Sequence, residues 1–159
     1  MLVPGAAGGV DKVVTWSAWE EGKSDVRKGV FYVDNAACAY TSMVDPDIMP
    51  RVLPNLEKIT VHRADASFQD MTFEERFFLV GASVSRYHRT IDGSSTLSWK
   101  LISGRQAKHD GNWSVSPDGR VSFQNAIQAK SMLHRALLRG IQVRAMEGVA
   151  SSIQEHCKL

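Results

Sequence analysis

Long apolar runs, cysteine and proline are scarce in this chain, and each scarcity excludes a class of protein. No stretch approaches the ~18–20 consecutive apolar residues of a membrane-spanning helix. The longest candidate, residues 77–84, is short and contains Gly81 and Ser83. Cys38 and Cys157 are the only thiols, and two cysteines so far apart make neither a disulfide framework nor a zinc site. Free thiols point to a reducing compartment, cytoplasmic or nuclear. The amino terminus has neither the positive flank nor the apolar run of a secretory signal, and residues 1–10 read as a flexible lead-in. Three of the five prolines, Pro46, Pro50 and Pro54, fall in one cluster. No linker, repeat or low-complexity tract divides the chain, so residues 11–159 read as one domain.

Chemistry-bearing motifs are missing as well. Phosphate loops, dinucleotide fingerprints, nucleophile elbows and zinc-protease spacings are all absent, which predicts no cofactor, no metal and no enzyme. What is present is ordinary globular material: 159 residues, 43% hydrophobic and 23% charged. That length suffices to bury roughly 68–70% of the unfolded chain's surface around one core.

The net charge of +2 hides an asymmetry. Residues 1–85 carry 8 Lys/Arg against 12 Asp/Glu, a balance of −4, whereas residues 86–144 carry 10 against 3, a balance of +7. Such a distribution suggests an anionic partner for the basic segment, or self-association through opposite halves.

The pattern predicts an α+β domain with a mixed or mostly antiparallel sheet. Residues 12–19 and 28–33, rich in β-branched and aromatic side chains, read as an N-terminal hairpin. Asn35 caps a short helix from residue 36 to about 43, and the proline-bearing segment after it reads as a loop before a strand at 56–62. Residues 73–88 are ambiguous: Phe78, Val80, Ala82 and Val84 alternate as in a strand, while Phe73, Phe77, Val80, Val84 and Tyr87 recur at helical spacing. A capping box, Thr72 with Glu75, favours a helix over 73–88. Strands at 95–102, 112–116 and 120–123 form a three-strand meander, the last two joined by Pro117-Asp118-Gly119. Leu97, Trp99, Leu101, Trp113, Val115, Val121 and Phe123 share its buried face. A second main helix is predicted over 125–145, with Ala126, Ala129, Leu133, Leu137 and Ile141 inward and Gln128, Arg135, Arg139 and Gln142 outward.

The polar face of the meander is the most suggestive constellation. Ser98, Ser114 and their neighbours, beside Lys100 and Arg120, supply donors suited to phosphate and ribose oxygens. Arg86, Arg89, Arg105, Lys108, Arg135 and Arg139 extend the basic field, and Trp16 and Trp19 offer indoles for stacking. In layout, without a shared residue-level motif, the hydroxyl-rich strands, the following helix and the Trp-x-x-Trp pair resemble the tombusvirus silencing suppressors. That resemblance implies binding of short duplex RNA on a sheet.

The leading expectation is therefore a non-enzymatic binding or assembly protein with RNA as its anionic partner, forming homo-oligomers. A viral matrix-like protein on membrane surface and nucleoprotein fits the same composition. A third reading is a small hydrolase or transferase in which Cys38 meets His62 or His109, the latter beside Asp110. It requires a concave pocket.

Overall fold

The computed structural model describes residues 24–77 and 80–159, together with the backbone of residues 15 and 16. The strands are β1 (Thr15–Trp16), β2 (Asp25–Tyr32), β3 (Leu56–Ala64), β4 (Phe68–Phe77), β5 (Gly81–Asp92), β6 (Thr96–Ser103), β7 (Lys108–Val115) and β8 (Arg120–Gln128); the helices are α1 (Ala36–Val44), α2 (Met49–Val52) and α3 (Met132–His156). The sheet order is β1-β2-β8-β7-β6-β5-β4-β3. After β2, the short helices α1 and α2 carry the chain to the far edge. Consecutive hairpins then return it strand by strand until β8 pairs with β2, antiparallel throughout.

The α+β class and the largely antiparallel sheet are as the sequence predicts. β1 pairs with β2, so the N-terminal hairpin exists, although the rest of residues 12–19 lies outside the described residues. The Asn35 carboxamide accepts from the Cys38 amide at 3.1 Å at the start of α1. The meander is present with the predicted inward face: Leu97 and Val121 are inaccessible and Trp113 and Val115 nearly so. Gly119, at φ +88°, takes the left-handed position that the β7–β8 turn needs.

Three assignments change. Residues 73–88 are not a helix but the end of β4 and most of β5, in register from Phe68↔Thr90 to Phe77↔Gly81. The alternating signal was the true one. Thr72 and Glu75 cap nothing: the Thr72 hydroxyl meets His62 Nε2 at 2.7 Å across the β3–β4 pair, and Glu75 faces inward. The proline-bearing segment holds a helix, α2, with Pro50 in its first turn, where a missing amide costs no hydrogen bond. Finally, residues 125–128 belong to β8, and α3 begins after the Ser131 cap and runs on to His156. Its inward stripe is Leu138, Ile141, Ala145, Met146 and Val149, continuing to Ala150 and Ile153, whereas Leu133 and Leu137 are 72% and 44% exposed. Gln142, predicted outward, is buried.

Cys38 on α1 and Cys157 at the end of α3 form a disulfide, their Cα atoms 5.5 Å apart. The expectation of free thiols fails, and with it the basis for assigning a reducing compartment. Among the described residues no helix is long and apolar enough to cross a membrane.

The bond closes a loop spanning 119 residues of sequence. In the chain-entropy account, a loop of that length stabilises by about 4–5 kcal/mol. Reduction, or Cys157→Ser, is therefore expected to lower the melting temperature by on the order of 10 °C. Calorimetry with and without reductant checks this, and identical transitions would show that the bond does not tie α3 down.

Candidate functional site

Between the inner face of the sheet and the middle of α3 lies a cavity of about 220 Å³. That is far beyond the ~10–15 Å³ that one water needs. Its walls are mainly apolar. α3 contributes the stripe just described, and the sheet contributes Phe31, Phe73, Phe77, Trp99, Trp113 and Phe123. Local sequence shapes this wall. Gly111, opposite Trp99 in the register, lets the indole lie flat across the β7 backbone. A Cβ there would collide with the ring and sit 2.7 Å from the Gln124 carbonyl oxygen. Gly29 makes the same room for Phe123.

Set into the apolar wall is a polar row. Alternation along β4 and β5 turns Glu75, Ser83, Ser85 and Tyr87 inward, and along β7 and β8 it turns His109 and Asn125 inward. Tyr87 Oη lies 2.8 Å from His109 Nδ1, and His109 Nε2 lies 2.6 Å from Asn125 Oδ1. A carbonyl oxygen only accepts, so Nε2 carries the imidazole proton and Nδ1 accepts from the Tyr87 hydroxyl. Burial holds His109 neutral, its pKa pushed down to about 4, with Asn125 and Asp110 pulling weakly the other way. Burial and the nearby Glu75 carboxyl push the Tyr87 phenol up, so it stays protonated. Glu75 is displaced in the opposite sense from His109. Desolvation in the cavity wall raises its carboxyl to about 7. Among the described residues no group holds three or more metal-ligating side chains together.

The residues singled out from sequence do not assemble around this site. Ser98, Lys100, Lys108, Ser114 and Arg120 lie on the outer face of the sheet, as the meander pattern implies. Arg86 is there too, but it makes a bidentate pair with Asp70 at 2.9 and 2.8 Å. Arg89 is in the core at 2% exposure, where it donates to Gln69 Oε1 at 2.8 Å and to the Met43 carbonyl, over the Phe73 ring. Burial lowers its pKa to about 9. Arg105 stands beside the cavity and donates to the Val80 carbonyl at 2.9 Å. Arg135 grips Asp25 through two bonds of 2.7 and 2.5 Å, and Arg139 is half-buried on α3. Lys108 pairs with Asp110 at 3.6 Å. The side chain of Trp16, and Trp19 altogether, lie outside the described residues.

The thiol-nucleophile reading fails because Cys38 is bonded to Cys157. His109 lies on β7 and faces the interior. Glu75 was missed entirely, since its place in a capping box explained it. The inward parity of Phe73, Glu75 and Phe77 was the signal that identified it, and it required the strand assignment.

No protein-family model matches the sequence, and no curated protein matches it. Solved structures do. The chain is similar to the Zhui aromatase/cyclase from Streptomyces sp. R1128, with TM-score 0.73 and 10% identity over 84% of this chain and 93% of that one. It is similar to major latex-like protein 151 of Panax ginseng, with TM-score 0.70 and 10% identity over 87% and 100%. A START superfamily protein from Mycobacterium smegmatis gives TM-score 0.69 and 13% identity over 83% and 96%. The fold is thus START-like, an antiparallel sheet gripping a long C-terminal helix. The RNA-binding and viral matrix expectations are overturned. The neighbours are of other kinds, and the basic segment is largely spent on internal partners.

The Glu75 carboxyl sets a pH dependence. Its folded-state pKa lies above the ordinary 4.5, so the native state holds a proton that the unfolded chain releases. Stability from this group is full below pH 4.5 and is lost as pH rises to about 7. Relative to the wild type, Glu75→Gln should gain about 1–3 kcal/mol at pH 8 and nothing at pH 4.5, the range allowing for water in the cavity. Urea midpoints at the two pH values check this, and an equal effect at both would place the carboxyl in solvent.

Proposed function

We propose that this protein binds a mostly apolar small molecule in the cavity between the sheet and α3. The observation that carries this reading is the cavity itself: an aromatic and aliphatic enclosure with a short polar row on one wall, the composition expected of a small-molecule site. A packed core of this size would hold few voids larger than a water. The START-like fold supports the same reading, since the neighbours include an aromatase/cyclase and a START superfamily protein.

A second reading, catalysis on the bound molecule, is favoured by one feature. Glu75, which titrates near neutrality, and His109, held neutral, face the same cavity. A group near pH 7 gives or takes a proton with little driving-force penalty. Binding comes first in either case. Conversion of a bound molecule to a new product, lost in Glu75→Gln with binding intact, separates an enzyme from a carrier.

Binding is tested by titrating the protein with an uncharged solvatochromic dye. Saturable one-site binding with a blue-shifted emission is the expected result. Ala145→Trp, which projects an indole from α3 into the cavity, should weaken it at least ~10-fold, the scale of ~1.4 kcal/mol. Arg120→Glu on the outer face should leave it unchanged. Equal binding by the Ala145→Trp protein, confirmed folded by circular dichroism, would move the site elsewhere.

A further inference from the structure

We infer that the molecule this cavity takes carries a basic nitrogen, and that Glu75 is the residue that receives it. The inference rests on the reading of the cavity as a ligand site and specifies the chemistry of the ligand.

Several polar groups of the wall are already engaged. The Tyr87 hydroxyl proton goes to His109 Nδ1, and the His109 proton goes to Asn125. The Arg105 guanidinium is directed at the Val80 and Ala82 carbonyls, at 2.9 and 3.5 Å. Glu75 differs. It lines the cavity, and among the described residues neither a hydrogen bond nor an ion pair engages its carboxyl. The titratable and charged groups that share the cavity with it are Tyr87 on β5, His109 on β7 and Arg105 between β6 and β7; α3 and the segment before β3 present only neutral side chains, including Gln142 and Asn55. Neither Tyr87 nor His109 is charged near neutral pH, and Arg105 is held by backbone.

The site therefore has one acidic group, set in apolar surroundings, whose carboxyl is paired with no cation among the described residues. A buried carboxylate without a partner is costly, and a paired one much less so. A protonated amine or amidine on an apolar body supplies the missing charge and the N–H donors together. The Trp99 ring in the same wall offers an aromatic face that also favours a cation. An anionic group placed against Glu75 would meet like charge, and a neutral one would leave the carboxylate uncompensated above pH 7.

The test uses three naphthalene probes of similar shape: a dimethylaminomethyl compound, its isobutyl isostere, and the corresponding acetate. Binding to the full chain is measured by calorimetry. At pH 8 the amine should bind at least ~10-fold more tightly than the isostere, and the acetate most weakly. Glu75→Gln should erase the preference for the amine while keeping the affinity for the isostere, which also shows that the variant is folded. Amine affinity should fall ~10-fold from pH 8 to pH 6, where the probe itself stays protonated, because Glu75 must then lose a proton to bind it. If amine and isostere bind equally, or the amine preference survives in Glu75→Gln, the amine inference is wrong and the cavity remains a ligand site. If none of the three probes binds, the cavity reading fails and takes the inference with it.

Discussion

The cavity exists because α3 is fastened to the rest of the protein near its two ends and spans open space between them. Near its start, Arg135 is clamped to Asp25 of β2 by a two-pronged pair whose side chains are only 11% and 9% exposed. Toward its end, Gln154 donates to the Tyr32 carbonyl at 2.9 Å, Ser152 donates to the Val52 carbonyl, and Cys157 is bonded to Cys38. The residues between, 138–149, are the ones that face the cavity. A helix free at either end could settle onto the sheet and bury its stripe. Fastened at both, it keeps its distance. If dry and empty, a void of this size would cost on the order of 5 kcal/mol, similar to the ~4–5 kcal/mol that a disulfide closing so long a loop supplies. The covalent tie and the space it guards are of the same energetic scale.

The charge asymmetry of the sequence has its explanation in the same fasteners. An acidic first half and a basic second half look like two surfaces when read along the chain. In the fold they meet. Arg135 reaches across 110 residues to Asp25, and Arg86 reaches its β4 neighbour Asp70, where the guanidinium holds the carboxyl below the ordinary range. Arg89, between β5 and the α1–α2 region, is the costliest, since a fully buried guanidinium is tolerated only while Gln69, the Met43 carbonyl and the Phe73 face all attend it. Sequence distance is not spatial distance, and a hairpin-built sheet brings the halves together in pairs.

Legibility followed the range of the physical signal. Period-2 alternation over β6 to β8 was strong and local, and it put Leu97, Trp113 and Val121 inside and Ser98, Lys100 and Arg120 outside. The Asn35 cap was equally local. Residues 73–88 failed because two local signals conflicted: a Thr-x-x-Glu spacing fits a capping box by chance, and only the pairing of β4 with β5, and of each with its next strand, decides for strand. α3 failed by one residue of phase. Leu133, Leu137 and Ile141 make a plausible stripe, but Leu138, Ile141, Ala145 and Met146 make the real one, and the difference lies in which face meets the sheet. The Cys38–Cys157 bond depends on a Cα separation of 5.5 Å that no spacing reveals. The cavity is the least legible of all, because it is defined by where atoms are missing.

Glu75 and His109 show how that absence becomes chemistry. Both are moved by the same cause, removal from water, and in opposite directions, because burial favours whichever form is neutral. The result is a wall whose one standing charge is the Arg105 guanidinium, held by backbone, and in which the only charge gained near neutral pH is negative. His109 cannot compensate it, since its two nitrogens already serve Tyr87 and Asn125. Arg105 cannot either, since the backbone carbonyls of Val80 and Ala82 hold its guanidinium. Whatever enters the cavity therefore meets an environment that tolerates apolar bulk almost anywhere and discriminates charge at one point. In the proposed reading, the specificity of the site reduces to the protonation state of a single carboxyl, set by the depth at which β4 places it.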